Sequence, residues 1–274
     1  MNKIAFIGAG NMARAIIIGL VNSGVAAQNI MVANPSEGKR LQLEQEFGVL
    51  QTSDNLKASE FANVIVLCVK PHFIEDVCSQ ISQAIDITGK LFISVAAGTT
   101  VAQIQAALTK ESATELAPVV RVMPNTPSQL GLGMSGLYPS KEVTAEQKES
   151  ADTLMTAVGK VIWLETEAKI NDVIAVAGSA PAYYFLFMEA MEKHAITLGF
   201  SAEESRMLVQ QTAFGSAQMV VQNSDLEIST LRGNVTSKGG TTHAAIEKFK
   251  EQGIDEMVKN SMNAAIARAE EMAK

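Results

Sequence analysis

Cysteine is scarce. The 274 residues contain two, Cys68 and Cys78, too few for a disulfide framework and not spaced as a CxxC pair. That usage fits a reducing cytoplasm. Histidine occurs only at positions 72, 194 and 243, none in metal-ligand spacing, and neither GxSxG nor HExxH is present, so zinc and hydrolase chemistry lack support. Basic charge is in deficit: 22 Lys and Arg stand against 29 Asp and Glu, and a net charge of -7 opposes binding to a nucleic-acid backbone or an anionic membrane. Long apolar runs are missing too. One uncharged stretch in the middle of the chain, between Asp172 and Glu189, contains Gly178 and Pro181 and reads as a helix buried in protein. At the N-terminus, glycines interrupt MNKIAFIGAG before a signal-peptide core develops, so that segment reads as a strand. There is no internal repeat and no low-complexity tract.

What is abundant is apolar residues, 47% of the chain, enough for the core of one large domain or two modest ones. The first 164 residues alternate short β-branched runs with segments of helical period, the pattern of parallel strands joined by crossover helices. Strands are expected at Lys3 to Ile7, Ile30 to Ala33, Val64 to Val69, Leu91 to Val95, Val119 to Met123 and Val161 to Leu164. Helices are expected at Met12 to Val21, Lys39 to Phe47, Phe73 to Ile85 and Val101 to Leu108. The run from Val64 to Val69 is apolar on both faces, which suits a central parallel strand. The fold class is therefore α/β, a doubly wound Rossmann-type sheet over residues 1–164, followed by an all-α domain over 165–274. In the second domain Pro181 opens a helix that stops at Gly199, Ser201 to Glu204 reads as a capping box, Gly239-Gly240 precedes a third helix, and Asp255 begins the last.

The strongest chemical signal is Phe6 to Ala13, a GxGxxA set between the first strand and the first helix. Gly8 permits a tight turn, Gly10 lets the backbone approach a pyrophosphate, and Ala13 allows close packing, with phosphate at the positive helix end. A dinucleotide is expected. No acid stands at the end of the second strand to take a ribose 2′-hydroxyl. Instead Asn34, Ser36, Lys39 and Arg40 offer amide, hydroxyl and cations, which favours NADP, although Glu37 could serve the ribose of NAD. Lys70 and the small residues Val95, Ala96 and Ala97 fall at strand ends where such sheets place their ligand crevice.

Two further loops draw notice. In Arg121 to Pro127, paired prolines fix a loop that either aims Asn125 and Thr126 or simply builds a stiff turn. In Val235 to Thr242, glycines and hydroxyls precede a helix, either as a cradle for a carboxylate or as an ordinary capped start. Tyr183, Tyr184 and His243 are potential proton donors, and Met188 and Met191 read as core filler.

Taken together, FIGAGNMA at 6–13, NP at 34–35, VKP at 69–71, SVAAG at 94–98, RVMPNTP at 121–127, GSAPAY at 178–183 and VTSKGGTT at 235–242 resemble the Δ1-pyrroline-5-carboxylate reductase family, in order and along nearly the whole chain. The resemblance implies NAD(P)H-dependent reduction of 1-pyrroline-5-carboxylate to L-proline by a cytoplasmic enzyme. It also implies a helical domain that forms intertwined homodimers, which assemble further into rings of dimers in some members. NADP(H) is the implied cofactor, with NAD(H) a further one. Ile7, Gly8, Ala9, Gly10, Asn11, Met12, Asn34, Asn55, Cys68, Val69, Lys70, Pro71, Val95, Ala96 and Ala97 would line its site, beside Ser36 and Arg40 from the residue reading. Ser237, Gly239, Gly240, Thr241 and Thr242 would bind the substrate carboxylate, with Thr242 as the catalytic residue near the ring nitrogen. Lys238 and Ala180 depart from the family pattern, which has proline at the first position and often glycine or serine at the second. A β-hydroxyacid dehydrogenase is the related alternative, but its lysine in GxxxKxxxN is missing, since Gly178 is followed by Ser179-Ala180-Pro181-Ala182. A non-catalytic NADP sensor is the other.

Overall fold

A computed structural model describes residues 3–109 and 115–272. The chain opens with β1 (Ile4–Ile7), α1 (Asn11–Asn22), β2 (Ile30–Ala33), α2 (Glu37–Phe47), β3 (Leu50–Thr52), α3 (Asn55–Phe61) and β4 (Val64–Leu67). It continues with α4 (Ile74–Ala84), β5 (Leu91–Ser94), α5 (Val101–Leu108), β6 (Val119–Met123), β7 (Gly133–Pro139), α6 (Ala145–Thr156) and β8 (Gly159–Trp163). The eight strands form one sheet in the order β3-β2-β1-β4-β5-β6-β7-β8. Strands β1 to β6 run parallel; β7 is antiparallel to β6, and β8 follows β7 in parallel. The order reverses at β1, which has β2 on one side and β4 on the other, and this is the switch point of a Rossmann-type sheet.

Every residue of β1, β2, β4, β5 and β6 is buried, because helices cover both faces. Alternation decides which face each side chain joins. Ile4 and Phe6 pack with Ile16, Ile17 and Leu20 of α1 and with Leu154 and Met155 of α6. Ala5 and Ile7 join the opposite layer with Val77 and Ile81 of α4 and Ile104 of α5.

Six elements were not anticipated: β3, β7, α3, α6, α7 (Lys169–Val173) and α10 (Ile228–Asn234). Strand β3 has three residues, β7 contains two glycines and ends at Pro139, and α6 is mostly polar with only Ala151, Leu154 and Met155 buried. None of them carries a periodic apolar signal long enough to stand out.

After β8 come α7 (Lys169–Val173), a π-helical turn over Ile174–Gly178, α8 (Ala180–Thr197), α9 (Ala202–Gln222), α10, α11 (Thr241–Glu251) and α12 (Ile254–Met272). Ser201 caps α9 as its sequence signals: its hydroxyl accepts from the Glu204 N–H at 3.2 Å, and the Glu204 carboxylate accepts from the Ser201 N–H at 2.9 Å. The chain divides into two compact units, Met1–Pro181 with Ala265–Lys274, and Ala182–Ala264. The change at Leu164/Glu165 marks where strands give way to helices. The compact division falls later, because α7 and the π turn pack on the sheet unit through Ile170 and Val173.

The apolar stretch between Asp172 and Glu189 was expected to be buried, and within a single chain it is so only in part: Val173, Ala175 and Ala180 are buried, but the stretch beyond them is largely not. Tyr184, Phe185, Leu186 and Phe187 are all exposed, and Met191, read as core filler, is exposed with them. The helical stretch Lys169–Thr197 is the one helix among the described residues long and apolar enough to cross a membrane, by length and composition. A helix apolar right round needs cover on every side, and its own chain covers only part of it.

Candidate functional site

The turn from β1 into α1 is held by backbone contacts that admit no side chain at Gly8. Its φ is +109°, and a Cβ there would lie 2.7 Å from the Cys68 carbonyl oxygen. The Gly8 N–H donates to the Ala33 carbonyl at 2.8 Å, and the Ala9 N–H donates to Asn34 Oδ1 at 3.2 Å, so the turn is tied to the end of β2. Gly10 is the N-cap of α1, with no side-chain acceptor on the first turn and open space where its Cβ would project. The positive end of a 12-residue helix is thus uncapped and approachable, which fits a dinucleotide pyrophosphate. Ile7 is buried behind this turn, Asn11 is exposed, Met12 is half-buried, and Ala13 is fully buried as its packing role requires.

At the end of β2, Asn34 Nδ2 donates to the Ser36 carbonyl at 3.3 Å, and Ser36 is the N-cap of α2 without a side-chain cap bond. Arg40, on the first turns of α2, directs Nη1 to Gln51 Oε1 on β3, while Lys39 is exposed. Asn55 opens α3 behind Asp54, whose carboxylate accepts from the Leu56 N–H at 2.8 Å.

The adjoining strand ends come to the same edge. The Cys68 N–H donates to the Ile7 carbonyl at 2.8 Å and the Val95 N–H to the Leu67 carbonyl at 3.2 Å, so the segments that begin at Cys68 and Val95 leave the sheet at the edge where the glycine turn lies, with Cys68 and Val69 against Gly8. Pro71 heads a 3-10 turn over Pro71–Phe73, and Lys70 before it is exposed. Burial pushes the Cys68 thiol above its ordinary range, which disfavours the thiolate.

In the loop after β6, the Asn125 side chain is engaged on both sides by the chain's own backbone. Its Nδ2 donates to the Ala177 carbonyl at 3.1 Å and its Oδ1 accepts from the Met134 N–H at 2.9 Å, so its side chain staples the turn. Arg121, 3% exposed on β6, pairs with Glu167 at 2.8 Å, and the same carboxylate oxygen accepts the Val101 N–H at the start of α5 at 2.8 Å.

In the helical unit, Gly239 takes φ +75°, the Gly240 N–H donates to the Ser237 carbonyl at 3.0 Å, and Gly240 caps α11 without a side-chain bond. Ser237, Lys238, Gly239, Thr241 and Thr242 are exposed around this helix start, Gly240 is half-buried, and His243 faces partly inward one residue on. The glycines hold a turn that leaves the first N–H groups of α11 without a side-chain cap, the chemistry of a carboxylate cradle. Tyr183, in the same unit, has a buried hydroxyl without a hydrogen-bond partner.

Residues 167–272 match the family model described as pyrroline-5-carboxylate reductase dimerisation, and residues 3–98 match one described as NADP oxidoreductase, coenzyme F420-dependent. Over 272 residues the chain is 58% identical to the pyrroline-5-carboxylate reductase of Vibrio alginolyticus, covering 99% of this chain and 98% of that one. The chain belongs to the pyrroline-5-carboxylate reductase family. Among solved structures, that of the pyrroline-5-carboxylate reductase from Coxiella burnetii aligns with a TM-score of 0.91 and 39% identity, covering 100% of this chain and 99% of that chain. The Plasmodium falciparum pyrroline carboxylate reductase with NADP bound aligns at 0.87 and 27%, covering 100% of this chain and 98% of that one.

Within this reductase fold, two contacts escaped the sequence reading. Gln51 meets Arg40 from a three-residue strand too short to announce itself. Glu167 joins Arg121 across 46 residues, and nothing in local spacing links them.

Proposed function

We propose that the chain reduces 1-pyrroline-5-carboxylate to L-proline with NADPH as the main cofactor and NADH as a further one. The observation that carries the cofactor reading is the Gly8 turn against Cys68, followed by the uncapped start of α1. When bound, the cofactor supplies hydride to the imine carbon. The backbone from Ile7 to Met12 holds the pyrophosphate at the helix end, and Asn34, Ser36 and Arg40 take the adenosine ribose and its 2′-phosphate. Asn55, Cys68 to Pro71 and Val95 to Ala97 line the remainder, and their small or backbone-facing groups leave room for a flat ring.

The substrate carboxylate goes to the cradle of Ser237, Gly239, Gly240 and Thr241, where uncapped N–H groups and hydroxyls accept an anion. Thr242 places its hydroxyl at the ring nitrogen, orienting a protonated imine that already accepts hydride. Orientation, rather than acid-base chemistry, is therefore the main task of the protein. The cofactor domain is residues 1–164 and the substrate and dimerisation domain 165–274. The enzyme works in the cytoplasm as a homodimer, assembled further into a ring of dimers. The exposed apolar residues of α8 support the dimer, since they need cover that one chain does not provide.

The test is loss of NADPH absorbance with purified protein and 1-pyrroline-5-carboxylate, run beside NADH and the six-membered cyclic imine. Formation of proline at a rate matching NADPH loss is the expected outcome. Binding of NADPH without consumption of either cofactor would reject the reductase and favour an NADP sensor.

A further inference from the structure

Three arginines lie between β1 and α7, and their partners differ in charge. Arg14 on α1 pairs with Glu46, and Arg121 on β6 pairs with Glu167, so each guanidinium is neutralised by a carboxylate. Arg40 is held by Gln51, a neutral amide, and takes part in no ion pair among the described residues. Glu37 and Glu44 stand one turn away on the same helix, yet neither bridges to it. The Arg40 Nε is buried and lacks a hydrogen-bond partner. A guanidinium fixed in place with its charge uncompensated has capacity for an incoming anion.

Position gives that capacity a use. Gln51 pairs with Val32 in the β2–β3 ladder, two residues before Asn34, and the Asn34 N–H donates to the Thr52 carbonyl at 3.3 Å. Arg40 is therefore anchored at the carboxyl end of the second strand, where this kind of sheet receives the adenosine ribose. A carboxylate at position 51 would make the same contact but neutralise the cation and repel a phosphate. An apolar side chain would leave the cation charged but loose.

We propose that Gln51 is a positioning residue that sets preference for a 2′-phosphorylated cofactor by holding Arg40 in place without neutralising it. This rests on the reading above that Arg40 serves the cofactor ribose. Gln51 touches no reacting atom; it acts through the orientation and net charge of Arg40.

The test is equilibrium binding by calorimetry, with no turnover involved. The probes are NADP+ against NAD+, and 2′,5′-ADP against 5′-AMP, which differ by the 2′-phosphate alone. For Gln51→Glu the affinity for NADP+ and 2′,5′-ADP is expected to fall ~10-fold or more, the scale of one charge-assisted hydrogen bond, with NAD+ and 5′-AMP nearly unchanged. Gln51→Leu, which is uncharged, should weaken the phosphorylated probes a few-fold and spare the others, and it serves if the glutamate variant folds poorly. A merely structural role would weaken both members of each pair equally, and that result overturns the proposal. Arg40→Met separates the two levels of the argument. If it abolishes the preference while both Gln51 variants keep it, the role of Gln51 is wrong and that of Arg40 stands. If it leaves the preference intact, Arg40 is not the phosphate ligand and both readings fall.

Discussion

Gly8 and Cys68 meet so closely that a single methyl group on the glycine would stand 2.7 Å from the cysteine's carbonyl oxygen. That oxygen belongs to the backbone at the end of β4 and has nowhere to withdraw, since the Cys68 N–H is tied to the Ile7 carbonyl. At φ +109° an alanine would also be strained in its own backbone. Gly8→Ala is accordingly expected to lower stability by about 1–3 kcal/mol and to cost more than 10-fold in NADP+ affinity. Thermal unfolding and calorimetry measure the two effects. Full affinity in the alanine variant would mean that the turn does not set the cofactor's approach.

The Arg121–Glu167 pair makes an asymmetric prediction. Arg121 is buried, whereas Glu167 keeps a quarter of its side chain in water. Removing the arginine leaves a carboxylate that water can still reach; removing the carboxylate leaves a buried cation. Glu167→Ala is therefore expected to cost about 3 kcal/mol, near the low end for broken buried pairs, and Arg121→Met clearly less. Urea unfolding with an unchanged slope would compare them. Equal costs would show that the Val101 N–H, not the cation, is what Glu167 serves.

Much of this arrangement was legible in the sequence because glycine and strand position leave strong marks. The Gly8-Ala9-Gly10 turn, the buried run of β4 and the Ser201 capping box each combine a local rule with a clear place in the chain. The contacts that were not legible are of another kind. The Gln51–Arg40 bond joins a neutral amide to a cation across a three-residue strand, and Glu167 reaches Arg121 from a loop. Asn125 illustrates the converse: the prolines beside it mark a fixed loop, and only the bonds to Ala177 and Met134 decide between a ligand-facing and a turn-building role. The apolar face of α8 was read correctly as apolar, but periodicity cannot say whether cover comes from the same chain or another.

The thiols predict both reactivity and pH dependence. Burial pushes the Cys78 thiol up to about 12 and raises that of Cys68 as well. Neither should react with a thiol reagent at pH 8 in the native protein, and both should react in urea. A group whose pKa is raised by folding keeps its proton in the native state after the unfolded chain has lost it. Between about 9 and 12 the native state therefore binds more protons, and stability falls as pH rises, by up to ~1.4 kcal/mol per pH unit for each thiol. Cys78→Ala should flatten that slope in unfolding measured across this window.

Thr242 stands exposed on the first turn of α11, beyond the Ser237–Gly240 turn. Thr242→Ala removes the hydroxyl without disturbing a helix that begins on Gly240, so the fold should be unaffected. Turnover of 1-pyrroline-5-carboxylate is expected to fall ~10-fold or more, as for the loss of one oriented hydrogen bond, while NADPH affinity remains that of the parent. Thr242→Ser should restore most of the rate. Unchanged turnover in the alanine variant would remove Thr242 from the mechanism.

The exposed side of α8 gives the last prediction. Leu186 is 68% exposed between Phe185 and Phe187, and Phe187 packs against Phe249 of α11 with ring centroids 5.9 Å apart. Phe187 therefore already has a partner in its own chain, whereas Leu186 offers its surface outward. If a second copy covers that surface, Leu186→Glu places a charge in an apolar interface, where it finds neither water nor a counter-ion. The dimer should then dissociate in light scattering after size exclusion, while helix content by circular dichroism is retained. Phe187→Glu would instead disturb the contact with Phe249 and lower the stability of the helical unit itself. The two variants thus separate the inside of the protomer from its interface: an intact dimer with Leu186→Glu would move the interface to another face of the helical unit.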